Sequence, residues 1–267
     1  MEHPGYAPFS PADSDLGVQQ VLGSYRGLPP VTVAFDTSLS YTNNAPGATP
    51  SNQEPAWYSA SRLAVSWLPR IAYGWFADIG LTQELYRFEG SHAVDFENLH
   101  PYLGVVKSIP ELDDLAFYTR YEYQRITTGN ISDSDYSAQT IRTGLQKNLF
   151  LTSRYQLSAG VDAAFDLRAN KDSLEHNEYS VDVSYTYWFA DRLSSTVSWT
   201  GTMWDFRHGG REDWTHIVGL ELTWKPCRSA RVFANVFYTD CNSNTANGVN
   251  DFEAWQSGIG FGFNYAF

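Results

Sequence analysis

SGIGFGFNYAF, residues 257–267, reads differently along its two faces. Ile259, Phe261, Phe263, Tyr265 and Phe267 are apolar or aromatic. The residues between them, Gly258, Gly260, Gly262, Asn264 and Ala266, are small or polar. A period of two is that of a β-strand, because successive side chains leave opposite faces of the pleat. One face is crowded with rings and the other is nearly bare. A strand of this kind needs an apolar environment on one side and something bulky to fill the other.

The rest of the chain has the same character. It has 267 residues, of which 16% are aromatic, and only two are Met. Tyr, Phe, Trp, Ser and Thr are strand formers. The net charge is −12, which excludes a nucleic-acid partner, since phosphate binding needs a basic surface. No apolar run reaches the roughly 18 residues of a membrane helix. A membrane-spanning barrel is not excluded, because its two faces alternate and average out. The opening MEHPGYAPFSPADSD lacks a basic start and an apolar core, so it is not itself a leader.

Residues 1–30 are rich in Pro, Gly and Asp. They form an N-terminal extension with room for a helix of two or three turns, capped by Ser10 or Asp13. Such an extension plugs the lumen, docks at the periphery against a protein partner, or stays disordered. From Val31 the sequence divides into twelve strand-like segments: 31–43, 57–68, 73–88, 93–108, 115–128, 135–149, 153–168, 175–190, 193–207, 212–226, 229–241 and 253–267. Tight connections such as PRIAY, FADRL and KPCRS alternate with longer polar ones such as residues 44–56 and 242–252. An even count of long strands with tight turns at one end predicts an all-β, antiparallel up-and-down barrel over residues 31–267. The segments exceed the roughly 5 or 6 residues usual in soluble proteins and the roughly 9–11 that a tilted strand needs to cross a bilayer.

The faces predict which side meets lipid. In the seventh segment Tyr155, Leu157, Ala159, Val161, Ala163, Phe165 and Leu167 oppose Gln156, Ser158, Gly160, Asp162 and Asp166. In the eighth, Tyr179, Val181, Val183, Tyr185, Tyr187 and Phe189 oppose Ser180, Asp182, Ser184 and Thr186. Apolar-face aromatics cluster at segment ends, as in Trp67, Tyr73, Trp75, Tyr187, Phe189, Trp224 and Phe267. That is the arrangement of interfacial girdles. The polar face holds Gly, Ser and Thr but few Lys, unlike a sheet facing open water.

With that, the terminal GFGFNYAF resembles the assembly signal of bacterial outer-membrane β-barrel proteins, carried by Phe261, Phe263, Tyr265 and Phe267. The resemblance implies a porin-like, twelve-stranded barrel in a Gram-negative outer membrane, its leader already removed. It also implies tight turns in the periplasm, long loops outside, and contact with lipid and the barrel-assembly machinery. Barrels of this strand number include sugar-acid and nucleoside channels, autotransporter translocation barrels and an outer-membrane phospholipase.

Charge on the inward parity marks the candidate site. Across PRIAY, Arg62 is expected opposite Asp78, with Asp36 close by. Glu122, Arg142, Asp162 and Asp182 fall at similar height on successive strands, and Arg120 and Arg154 lie nearer the tight-turn end. Either these residues satisfy one another as salt bridges in a partly filled barrel, or they form a constriction that orients polar solutes.

Catalytic arrangements find little support. A lipid-face Ser–His pair would use His216, whose expected cross-strand neighbour is near Met203. Asp205, His208, Glu212 and Asp213 gather acids and a His on one loop. His92 and His176 belong to loops, and His100 points inward beside Tyr102. No metal, P-loop or dinucleotide spacing appears. The expectation is a channel for passive diffusion of small polar solutes, with no enzyme activity, cofactor or metal. The alternative is a non-conducting structural or interaction subunit of an outer-membrane assembly. Cys227 and Cys241 should lie at opposite ends of one strand, too far apart for a disulfide.

Overall fold

The computed structural model describes residues 31–45, 53–90, 95–112, 115–128, 134–245, 248 and 250–267. The expected N-terminal extension and its helix, and His92, lie outside the described residues. The described chain is a single antiparallel sheet of twelve long strands and one short one. In chain order these are β1 (Val31–Thr42), β2 (Ala56–Trp67), β3 (Arg70–Ala72), β4 (Trp75–Phe88), β5 (Phe96–Ile109), β6 (Leu115–Thr128), β7 (Ser134–Leu151), β8 (Tyr155–Ala169), β9 (His176–Ala190), β10 (Leu193–Phe206), β11 (Glu212–Trp224), β12 (Ala230–Ser243) and β13 (Phe252–Ala266).

Each long strand pairs with its sequence neighbour, and β13 pairs with β1. That last pairing runs from Thr32 opposite Ala266 to Thr42 opposite Gln256, and Val31 and Phe267 exchange both backbone hydrogen bonds beyond it. The twelve long strands therefore leave no open edge among themselves, which satisfies their ladders without water. Short connections, including residues 73–74, 152–154 and 191–192, share one end of the barrel with Val31 and Ala266. Longer ones, such as residues 43–55 and 244–251, share the other.

The first tight hairpin differs from expectation. The chain does not turn at the middle of PRIAY but at its last residue, Tyr73, and the following Gly74. After a break at Leu68–Pro69 it resumes as β3 and pairs Ala72 with Trp75. Gly74 has φ 66°, which suits glycine in a tight hairpin turn. Moving the turn toward the C-terminus slides the register, so Arg62 lies opposite Glu84 instead of Asp78.

Burial is inverted relative to a soluble barrel. Ile259 is 65% exposed and Leu103 59%, whereas Asp36 and Glu122 are each 4% exposed. Exposed apolar side chains continue around every long strand from Phe35 to Phe263. Monomeric soluble proteins rarely expose contiguous apolar patches beyond a few hundred Å², so the outer wall is a lipid-facing surface. Aromatics rim it at both ends. At the long-loop end Tyr41 meets Trp57 at 5.4 Å and Tyr238 meets Trp255 at 4.8 Å. At the short-turn end Tyr187 meets Phe189 at 5.0 Å and Tyr265 meets Phe267 at 5.7 Å.

The same inversion explains the bare face of β13. A Cβ on Gly262 would collide with the Asp36 carboxylate, and one on Gly260 with the Phe233 ring. The glycines leave space that long side chains of β1 and β12 fill from either side. The crowded face of β13 meets lipid, and its bare face is the floor for its neighbours.

Candidate functional site: the charged lumen

Inward parity brings charged side chains from most strands into one belt. On the wall formed by β11, β12, β13, β1, β2 and β4, Arg231 reaches over β13 to bond Asp36 (Nε–Oδ1 3.0 Å) and approaches Glu221 at 3.8 Å. The Arg231 guanidinium also lies 5.0 Å above the Phe233 ring. Asp36 is the register partner of Arg62, and Arg62 approaches Glu84 at 3.6 Å. Glu84 in turn accepts a 2.9 Å hydrogen bond from Asn98. The belt is thus relayed strand to strand.

Asp78 belongs elsewhere. Arg120 reaches across from β6 and bonds it at 2.6 Å. The Arg120 guanidinium sits between two rings, 4.7 Å from the Tyr102 centroid and 4.9 Å from that of Tyr118. Glycines make this fit possible. Gly104, the register partner of Arg120, has no room for a Cβ beside the Arg120 backbone.

A second wall, β6 to β9, is organised around Arg142. Its guanidinium bonds Glu122 (Nε–Oε2 3.1 Å), Glu178 (Nη1–Oε1 2.9 Å) and Asp162. His100 lies 3.4 Å from Glu122. Asp166 accepts hydrogen bonds from the Thr140 hydroxyl at 2.8 Å and the His176 backbone N–H at 3.1 Å. Asp182 stands over Gly160, where a Cβ would collide with its carboxylate. Ser180 and Thr202 hydroxyls continue the polar lining onto β10 at 3.2 Å.

The structure therefore brings Glu122, Arg142 and Asp162 together, as their spacing predicts. Asp182 sits on the same wall without joining the Arg142 cluster, and Arg154 is exposed at the short-turn end. Arg62 and Asp36 face each other, but the Arg62–Asp78 pair is corrected: Arg62 takes Glu84 and Asp78 takes Arg120. Sequence reasoning missed Glu84, Glu178, Glu221 and Arg231 as members of the belt. All four sit on the inward parity, so extending each alternation to its strand ends was the available signal.

The residues singled out for catalysis do not assemble. His216 is opposite Gly201, while Met203 is opposite Trp214, and His216 stacks on Trp199 at 6.0 Å. Asp205 and Glu212 are register partners, but Asp213 is fully buried and held by Arg211 (Nε–Oδ1 2.9 Å). Cys227 is exposed, Cys241 is buried, and both are free thiols.

Solved structures share this architecture along nearly the whole chain. An outer-membrane channel from Pseudomonas putida F1 superposes with TM-score 0.62 at 11% identity, over 91% of this chain and 98% of that one. The translocator domain of the autotransporter NalP from Neisseria meningitidis gives TM-score 0.52 at 10% identity, over 95% and 96%. The NanC porin gives TM-score 0.51 at 15% identity, over 86% and 98%. No protein-family model matches the chain, and no curated protein matches it. The class that this fold defines is the closed up-and-down transmembrane β-barrel, with twelve long strands around a charged lumen, the architecture it shares with these outer-membrane barrels.

Proposed function

We propose that the protein is an outer-membrane channel for passive diffusion of small polar solutes, without covalent chemistry. The observation that carries this reading is the belt of carboxylates and guanidiniums lining a barrel whose outer wall is apolar. Side-chain charge at a narrowing selects what passes through a pore. Ion pairs alone are a weak source of stability here, since desolvation cancels much of the attraction. Their concentration on the inner wall therefore favours a role in the path. Asp36, Arg62, Asp78, Arg120, Glu122, Arg142, Asp162 and Asp182 line that path in this reading. Short turns face the periplasm and long loops the exterior. Phe261, Phe263, Tyr265 and Phe267 present the assembly signal to the barrel-assembly machinery, and residues 1–30 are available to a protein partner.

Reconstitution into a planar bilayer tests the reading. Discrete conductance steps at each insertion are expected. Folded protein that inserts but stays silent would overturn the channel and favour a structural subunit.

A further inference from the structure

We propose that the lumen selects cations over anions, and that the wall formed by β6 to β9 sets this preference. The inference rests on the channel reading and names the class of solute. On that wall Glu122, Asp162 and Glu178 share a single guanidinium, Arg142, and Asp166 and Asp182 add two more carboxylates that no arginine pairs with among the described residues. The three other guanidiniums of the belt are already matched by carboxylates on nearby strands: Arg120 by Asp78, Arg231 by Asp36 and Glu221, and Arg62 by Glu84. The surplus is therefore negative, and it lies on one side.

Asp182 differs from the rest of the wall. No cation pairs with it among the described residues, and its carboxylate lies over Gly160, in space that a Cβ there would fill. Its flanking residues Val181 and Val183 belong to the outer face, with Val181 41% exposed there. An unmatched carboxylate on a wall backed by lipid acts through a medium that screens it poorly, and such walls focus their field into the water path. Mobile cations then accumulate along the wall and anions are thinned. Small inorganic cations and organic amines are the favoured solutes. The chain's net charge of −12 adds attraction at the mouths without choosing the wall.

The reversal potential of the reconstituted barrel under a potassium chloride gradient tests this, in the wild type and in Asp182→Asn. The amide matches the carboxylate in size and breaks no ion pair. The expected potassium-to-chloride permeability ratio is several-fold above one in the wild type. One charge lining a largely aqueous lumen is worth roughly a factor of two in the population of each monovalent ion. It attracts the cation and repels the anion by that factor, so Asp182→Asn should lower the ratio by roughly fourfold. A conducting wild type with a ratio at or below one overturns cation selection and leaves the channel standing. An unchanged ratio in Asp182→Asn overturns the assignment to this wall. A barrel that inserts and never conducts overturns both.

Discussion

Arg142 concentrates the electrostatics of the lumen in one side chain. It donates to carboxylates from β6, β8 and β9, and a guanidinium fork is the group able to serve several acceptors at once. Arg142→Met would leave those carboxylates crowded without a cation. Removing one partner of a fully buried pair costs about 3–5 kcal/mol. The Arg142 side chain keeps 23% exposure, so water screens part of the loss and roughly 2–3 kcal/mol is expected. Urea unfolding of the barrel in micelles reads this directly, and Arg142→Lys should fall between the two. A midpoint unchanged in Arg142→Met would mean that the carboxylates do not depend on it. Much of this cluster was legible in the sequence, because alternation alone puts Glu122, Arg142 and Asp162 on one face. The pairs of Arg62 and Asp78 were not. A cross-strand partner depends on where the hairpin turns, and Pro69 suggested a turn several residues before the one that Gly74 makes.

At the scale of elements, β13 carries the closure. It pairs with β12 along one edge and with β1 along the other, so chain ends far apart in sequence meet only there. Its glycines accept Asp36, Arg231 and Phe233 from both neighbours, and its aromatics face outward. Phe267→Asp should leave the closed barrel intact once formed, because the Val31–Phe267 hydrogen bonds are backbone ones. It should reduce assembly in cells much more than refolding in detergent. Heat-modifiable gel mobility of outer-membrane fractions distinguishes the two, and equal yields of variant and wild type in cells would show that the outward aromatics are no assembly signal. Strand existence was legible throughout, since long alternating runs leave little choice of element. Strand ends were less so. β7 extends to Leu151 and β3 follows Pro69, because pairing with a neighbour holds residues that propensity alone assigns to turns.

For the whole molecule, the decisive property is which face meets which solvent. Periodicity separates two faces but cannot say which is inside, and a soluble barrel and a membrane barrel share the same alternation. Girdle placement and an inner face of Gly, Ser and Thr with few Lys point to inversion, and the burial of Asp36, Asp78 and Glu122 beside the exposure of Leu39, Leu103 and Ile259 agrees. Three consecutive positions on β9 test it most directly. In a barrel carrying Cys227→Ser and Cys241→Ser and reconstituted in liposomes, a water-soluble maleimide is applied to Val181→Cys, Asp182→Cys and Val183→Cys in turn. Asp182→Cys should react at a rate approaching that of an exposed thiol, with Val181→Cys and Val183→Cys protected by lipid. Labelling of both valine positions at the Asp182→Cys rate, with no alternation, would contradict a lipid-facing outer wall around a water-lined lumen.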